Sequence, residues 1–194
     1  MQGRRLGHAA LLILIVATVG CDHVTKRYAS ATLAGTPGRS YLADTVRLQY
    51  AENPGGFLSL GADLPPVVRT GVLTVGAGLA LIAMVITAVR HRWTGLPLAG
   101  VALVLAGGLS NLTDRIVRGT VVDFLTVGLG PLRTGIFNVA DVAVMAGVCL
   151  LVFASVQSDQ VDSWVPPAGG GGSSDDPSGC PSTALGAPRA DRDG

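Results

Sequence analysis

The sequence has few charged residues. Only 14% of its 194 residues are Asp, Glu, Lys or Arg, whereas 48% are hydrophobic, and the formal net charge is +1. The basic residues are scattered, so the chain lacks the positive patch that a nucleic-acid-binding protein needs, and we exclude that class of partner. So apolar a composition is typical of membrane proteins and not of soluble domains.

Cysteine and histidine are also scarce. The three cysteines are Cys21, Cys149 and Cys180, with no CxxC pair among them. Their odd number and wide spacing exclude a disulfide framework and a zinc site of cysteines. The three histidines, His8, His23 and His91, fall at the edges of apolar runs and form no ligand pair. We therefore expect neither a metal nor another cofactor.

Long apolar runs are what the chain does have. A membrane-spanning helix needs about 20 mostly apolar residues, and four runs approach that length. They cover residues 6–21, 66–89, 96–112 and 135–156, and glycines are frequent inside them. Small residues allow helices to pack closely in lipid. The sequence thus predicts an all-α membrane protein with four transmembrane helices.

Two stretches differ in character from these runs. Residues 26–65 contain a piece of alternating polarity at 45–50, with turn signals at 36–38 and 53–56, which predicts a small extramembrane β-rich element between helices one and two. The stretch 157–194 is polar and rich in Gly, Pro, Ser and Asp, so it has little to bury. We expect a membrane domain over 1–156 and a disordered tail over 157–194.

The topology places most polar residues of interest on one side of the membrane. With four spans, the end of helix one, the end of helix three and the start of helix four share a side, as do the two connections on that side. The polar residues there are Asp22, Lys26, Asn53, Asn111, Asp114, Arg115, Asp123, Asn138 and Asp141. Basic residues flanking the opposite ends, such as Arg4, Arg5, Arg90 and Arg92, predict cytoplasmic termini, although this charge bias is small.

Two aspartates stand out within this group. Asp141 lies inside the apolar segment IFNVADVAVMAGV, and Asp123 lies inside TVVDFLTVG. An ionisable residue at membrane depth is costly and indicates a functional site. Two carboxylates in a partly desolvated site share a proton, so one can activate a water while the other donates a hydrogen bond to a carbonyl. That chemistry is the one aspartic peptidases use, and it requires no metal.

Several readings stay open from the residues alone. Asp22 and Lys26, four apart, could form a simple helical ion pair or take part in a site. Asp114 and Arg115 could form a salt bridge at a helix end, and the Asn53 segment could be a plain turn. The whole protein could instead be a non-catalytic scaffold or small transporter.

Four segments resemble the lipoprotein signal peptidases, or signal peptidase II, which are membrane-embedded aspartic peptidases of bacteria. They are DHVTK at 22–26, NPGGFLSLG from 53, GGLSNLTDRIVRGTVVDF at 107–124 and FNVAD at 137–141. The resemblance implies a catalytic dyad of Asp123 and Asp141. The polar residues it implies around the dyad are Asn111, Arg115 and Asn138, and Asp22, Lys26 and Asn53 would support the site or contact the substrate. We add Asp114, which shares their side of the membrane, as a further substrate-binding or site-supporting residue.

The resemblance also implies a substrate and a location. The substrate is a prolipoprotein whose lipobox cysteine carries diacylglycerol, cut just before that cysteine, and the enzyme lies in the bacterial cytoplasmic membrane among its lipids with its site on the outer face. The oligomeric state is not specified. Departures from the usual pattern are Ser110 in place of glycine, the loop residues Gly55-Gly56-Phe57, and Val142.

The first apolar run also has the form of a lipoprotein signal, since Arg4 and Arg5 precede it and Gly20-Cys21 ends it. Position 18, three before the cysteine, is a threonine where such a signal favours leucine. Cleavage before Cys21 would also detach the first helix from the bundle. We therefore predict a retained helix with Cys21 as a buried small residue at its end.

Overall fold

The structure of the protein is a computed structural model that describes residues 2–56 and 63–162. The tail expected over 157–194 lies mostly outside these residues, as do Phe57 of the loop and Cys180.

Helices make up most of the chain. They are α1 (Gln2–Leu33), α2 (Pro66–Thr70), α3 (Ala77–Arg90), α4 (Gly95–Arg118) and α5 (Val139–Asp162). A π-helical segment, Gly71–Gly76, joins α2 to α3 without a break. Within the part of the chain that the structure describes, four stretches are long and apolar enough to cross a membrane: Ala9–Leu33, Pro66–Arg90, Gly95–Arg118 and Val139–Gln157. The protein is therefore a multi-pass membrane protein, which confirms the four predicted spans.

The outer surfaces of these spans are apolar. Leu12 is 63% exposed, Val67 84%, Leu79 61% and Val152 59%. In water such a surface would aggregate, but in hydrocarbon it is the expected exterior of a helical bundle.

Helix α1 continues well beyond residue 21, where the apolar run ends. Asp22, Lys26, Ala29 and Leu33 recur every three or four residues and are all at least 95% buried, so they form the inner face of the helix's second half. Cys21 points away from this face and is exposed. The predicted burial of Cys21 is therefore wrong. Its predicted place at the end of the helix is also wrong, because α1 continues to Leu33 with Asp22 and Lys26 on its buried face.

Helix α4 is the centre of the bundle and packs most extensively on α5. Glycines allow this approach: a Cβ atom added to Gly100 would lie 2.9 Å from the Gly147 carbonyl oxygen, and one added to Gly147 would lie 2.6 Å from the Gly100 oxygen. The two backbones are thus in direct contact. This contact holds the first half of α4 against α5 at Gly147, and a second close approach, of Gly107 to Ala140, holds the start of α5.

Two of the connections between helices together form a four-stranded antiparallel sheet, in which the strand order is β1-β2-β3-β4. Its strands are β1 (Arg39–Tyr41), β2 (Val46–Asn53), β3 (Val121–Leu129) and β4 (Leu132–Arg133). The predicted β-rich element between the first two spans supplies only β1 and β2. The connection between α4 and α5 supplies the other two strands, which the sequence pattern does not predict.

The register of the central strand pair brings two site residues together. Asn53 pairs with Val121 and Ala51 with Asp123, beyond an irregularity between Leu48 and Ala51. Asn53 and Asp123 are therefore near neighbours at the end of the β2–β3 pair.

The turn between β1 and β2 has an unusual backbone. Leu42, Ala43 and Asp44 have φ values of 52°, 50° and 68°, a conformation that costs a residue with a Cβ atom. The Asp44 carboxylate holds the turn by accepting hydrogen bonds from Ser40 Oγ at 2.6 Å and Arg47 Nε at 2.7 Å. The Arg47 hydrogen bond holds the pKa of Asp44 well below its usual range.

Candidate active site

A buried lysine lies at the base of the polar cluster. The Lys26 ammonium contacts Asp22 Oδ2 at 2.7 Å and Asp114 Oδ2 at 2.8 Å, and it donates to Asn111 Oδ1 at 2.8 Å. The ammonium thus lies within 2.8 Å of one oxygen atom on each of these three partners. Two carboxylates and one amide thereby compensate the buried charge.

These contacts decide two of the open readings. The ion pair between Asp22 and Lys26 forms, but both side chains are nearly fully buried inside the cluster, so it is also part of the site. Asp114 pairs with Lys26. Within the described residues the Arg115 side chain contacts backbone carbonyls instead, that of Gly55 at 2.8 Å and that of Asn111 at 3.4 Å.

Asp22 connects α1 to two other helices. Its carboxylate accepts hydrogen bonds from Ser110 Oγ at 2.6 Å and from the backbone N–H of Ala140 at 2.8 Å. The second contact satisfies one of the free N–H groups at the start of α5. Asp22 thus holds the residue immediately before Asp141.

Asn138 and Asp141 cap the start of α5 reciprocally. The backbone N–H of Asp141 donates to Asn138 Oδ1 at 3.0 Å, and the backbone N–H of Asn138 donates to Asp141 Oδ2 at 3.2 Å. This is the geometry of a capping box, with aspartate in the position that glutamate often takes. The carboxylate of Asp141 is therefore fixed by the same contacts that begin the helix.

Asn138 also reaches the second carboxylate of the predicted dyad. Its amide nitrogen donates to Asp123 Oδ1 at 2.6 Å and to Asn111 Oδ1 at 3.2 Å. Asn111 in turn donates to Asp141 Oδ1 at 2.9 Å. Asp123 and Asp141 thus share Asn138 as a common partner, one through its side chain and the other through its backbone.

Asp123 lies in β3 and is 2% exposed. Asn53 donates to its Oδ2 atom at 2.8 Å. Burial raises the pKa of Asp123 to about 6, and the nearby charge of Asp141 acts in the same direction, while the hydrogen bonds from Asn53 and Asn138 oppose the rise. A carboxyl group with this pKa can hold a proton close to neutral pH.

The Asn53 segment is both a turn and part of the site. Gly55 donates its N–H to Asn53 Oδ1 at 2.8 Å, and the Asn53 amide donates to the Gly56 carbonyl at 3.0 Å as well as to Asp123. Arg115 anchors the same turn through the Gly55 carbonyl. The two interpretations of this segment, a plain turn and a part of the site, are therefore compatible, because the same asparagine forms the turn and contacts Asp123.

The structure brings all nine predicted site residues into one cluster. Seven are buried and two are half-buried, the latter being Arg115 and Asp141. Ser110 joins this cluster through its hydrogen bond to Asp22, a contact that its place as a departure from the family pattern does not predict. Its spacing gave a signal: Ser110 lies four residues before Asp114 and beside Asn111 on one helix.

The fold is that of known bacterial membrane enzymes. One solved structure of a bacterial membrane enzyme superposes with a TM-score of 0.69 at 23% identity, covering 82% of this chain and 94% of the other. Another superposes with a TM-score of 0.66 at 24% identity, covering 77% and 94%. These two similarities show that the chain has the fold of a bacterial membrane enzyme.

Sequence comparisons identify the family within that class. The family model for signal peptidase II matches residues 14–157. The lipoprotein signal peptidase of Syntrophus aciditrophicus is 34% identical over 78% of this chain and 98% of its own length, and that of Sphingopyxis alaskensis is 37% identical over 72% and 82%. The enzyme of Streptococcus pneumoniae is 30% identical over 78% and 95%. The chain belongs to the signal peptidase II family.

Proposed function

We propose that this protein is an aspartic endopeptidase that removes signal peptides from bacterial lipoprotein precursors. Its substrates carry diacylglycerol on a cysteine, and it cuts the bond before that cysteine. The observation that carries the aspartic mechanism is the pairing of Asp123 and Asp141 through Asn138. Family membership supports the choice of substrate.

The hydrogen bonds of the dyad suit this chemistry. Each of the four carboxylate oxygens accepts one hydrogen bond from the protein: Asn138 and Asn53 donate to Asp123, and Asn111 and the Asn138 backbone donate to Asp141. A carboxylate oxygen can accept a second bond, so each keeps capacity for water or a shared proton. The asparagines orient the pair without neutralising it.

The reaction needs only the dyad and one water. One carboxylate removes a proton from the water, whose oxygen attacks the carbonyl carbon of the scissile bond, while the protonated partner donates to the carbonyl oxygen. The tetrahedral intermediate then breaks its C–N bond, and the leaving nitrogen takes a proton from the dyad. The raised pKa of Asp123 suits the role of the protonated partner.

The surrounding residues position this pair. Asp22 holds the Ala140 N–H beside Asp141, and Lys26 joins Asp22 to Asn111, which donates to Asp141. Arg115 holds the turn that presents Asn53 to Asp123. We assign these residues positioning roles.

The location of the dyad suits a lipid-anchored substrate. Asp141 lies in the first turn of α5, and Asp123 lies in the strand before it, so both are at one end of the membrane spans. A precursor anchored by its acyl chains presents its peptide at that level of the bilayer. We place this end at the outer face of the bacterial cytoplasmic membrane, with both termini inside.

The test is cleavage of a diacylglyceryl-modified precursor by purified protein, with the unmodified precursor as control. Asp123→Asn and Asp141→Asn, made separately, should each abolish cleavage. Asp44→Asn removes an exposed carboxylate from the sheet and should leave activity intact. Cleavage by either dyad variant would refute the mechanism, whereas solute transport that survives both substitutions would favour the scaffold or transporter reading.

A further inference from the structure

A groove on the outside of the bundle lies between α1 and α4. It encloses about 440 Å³, and its walls contain no member of the Asp123–Asp141 pair. We call it the α1–α4 groove. Its lining residues are Gly20, His23, Val24, Lys26 and Arg27 of α1, with Thr113, Asp114, Val117 and Arg118 of α4.

The deep part of the groove is apolar and open to lipid. Val24 is 67% exposed and Val117 is 74% exposed, and both lie within membrane-capable spans. Gly20 leaves a notch on the α1 side, since a Cβ atom added there would meet nothing within 4 Å. An extended hydrocarbon chain fits a trough with these walls.

The other end of the groove is basic. Arg27 and Arg118 line it from opposite sides and are both exposed, and Arg118 is the last residue of its span. Among the described residues, neither guanidinium takes part in an ion pair. His23 lies beside them, half-buried. Two exposed arginines on opposite walls of a groove supply the positive charge and the N–H donors that a phosphate group requires.

The charged residues at the base of the groove do not cancel this pair. Lys26 is occupied by Asp22, Asp114 and Asn111, and the Asp114 carboxylate faces the Lys26 ammonium at 2.8 Å. One ammonium faces two carboxylates, so the formal charge of this buried set is −1, whereas the two exposed arginines carry +2. The charge available to a ligand is that of Arg27 and Arg118.

We propose that the α1–α4 groove binds one anionic glycerophospholipid. An acyl chain lies along Gly20, Val24 and Val117, and the phosphate lies between Arg27 and Arg118. The seven residues from Gly20 to Arg27 cover about 10 Å along the helix axis, which matches the passage from acyl chain to headgroup. The groove shares the buried Lys26–Asp114 pair with the polar cluster but contains neither Asp123 nor Asp141, and lipid binding there does not require peptidase activity.

Native mass spectrometry of the full-length protein in detergent tests this proposal. Phosphatidylglycerol and phosphatidylcholine with identical acyl chains are titrated into the wild-type protein and its variants. Arg27→Gln and Arg118→Gln should each raise the Kd for phosphatidylglycerol about fivefold, and the double variant about 25-fold, with little effect on phosphatidylcholine. Arg39→Gln, on strand β1, is the matched control and should leave the Kd unchanged.

A second pair of variants tests the acyl chain. Gly20→Leu fills the notch and should raise the Kd for phosphatidylglycerol about tenfold, since it displaces about two methylene groups from the groove. Gly7→Leu is its control on the same helix, where an added Cβ also meets nothing within 4 Å. Unchanged thermal unfolding of both variants would show that the bundle is intact.

Three results would overturn the proposal. The first is equal affinity of the wild-type protein for the two lipids. The second is wild-type binding by Gly20→Leu, or an equal loss in Gly7→Leu or Arg39→Gln. The third is displacement of phosphatidylglycerol by millimolar inorganic phosphate, which would show a phosphate site with no role for the acyl chain.

Discussion

Replacing Gly107 with alanine should displace the start of α5. A Cβ atom at this position would overlap the Ala140 carbonyl oxygen and lie 2.9 Å from Val144 Cγ2, whereas ordinary van der Waals contact begins at about 3.4 Å. The carbonyl belongs to the backbone and cannot rotate away. The two helices must therefore separate by at least about 0.5 Å.

This displacement acts directly on the proposed dyad. Ala140 immediately precedes Asp141, and its N–H is held by Asp22. Overpacking of this kind typically costs 1–3 kcal/mol, so we expect the free energy of unfolding to fall by about 2 kcal/mol. A shift of about 1 Å in a reacting group can cost about 100-fold in rate, and we expect kcat/KM for the lipidated precursor to fall by about that factor.

Gly78→Ala is the matched control, since its added Cβ would lie 3.8 Å from Leu112 Cδ2, an ordinary contact. It should keep wild-type cleavage and thermal stability. Adding Val144→Ala to Gly107→Ala should recover stability only in part, because the clash with the Ala140 carbonyl remains. Wild-type cleavage by Gly107→Ala would refute the inferred contact between α4 and the start of α5.

Three further predictions address the buried cluster and the sheet. Ser110→Ala should lower the free energy of unfolding by about 2 kcal/mol in thermal denaturation, because the buried Asp22 carboxylate loses a 2.6 Å hydrogen bond; no change would contradict that contact. Burial raises the pKa of Asp123 from 3.8 to about 6, so the folded state binds its proton more tightly than the unfolded state. The resulting stability is fully present only below the unfolded pKa of 3.8 and is lost as pH rises through 6, so the wild-type protein should lose about 2 kcal/mol relative to Asp123→Asn between pH 4 and 7, and parallel pH profiles would contradict this. Ala43→Gly should raise the free energy of unfolding by about 1 kcal/mol by relieving its positive φ, whereas Ala51→Gly in β2 should lower it; equal effects would contradict the turn geometry.

The membrane spans could be predicted because hydropathy records them directly. The second predicted run matches its observed span within one residue. The third ended at Leu112, although its helix continues to Arg118, and the fourth began at Gly135, although the chain is still a loop until Val139. The first run ended too early, because hydropathy counts Asp22 and Lys26 as breaks. Asp22 and Lys26 recur with Ala29 and Leu33 at the spacing of one helix face, and this periodicity predicts the end of α1 better than hydropathy does.

The members of the site could be predicted more fully than their contacts. Topology placed the polar residues at one end of the spans, and the structure joins all nine. Partner choice depends on side-chain direction: Asp114 faces α1 and pairs with Lys26, while its neighbour Arg115 faces the Asn53 turn. Adjacent residues on a helix point about 100° apart, so Asp114 and Arg115 face different neighbours. Their positions in the sequence alone do not show which neighbours those are.

Only β1 and β2 of the sheet could be predicted from local sequence, because the pairing of β3 is not a local property. Thr45 to Tyr50 showed alternation, but the segment at 121–129 is apolar on both sides of Asp123 and reads as part of a buried run. Its pairing with β2 joins residues about 70 positions apart. Such long-range pairing is decided by the tertiary fold and leaves little local trace.

The reciprocal cap of Asn138 and Asp141 limits how this enzyme can be redesigned. A glutamate at 141 would carry its carboxylate one methylene further and could not both cap the helix and face Asp123 in the same way. Selection for new cleavage specificity would therefore gain nothing from randomising 138–141, since most of that library would lose the helix start before its chemistry was tested. The surface of β2 beside Asn53 is the better position to vary, because it borders the proposed dyad without holding the backbone of Asp141.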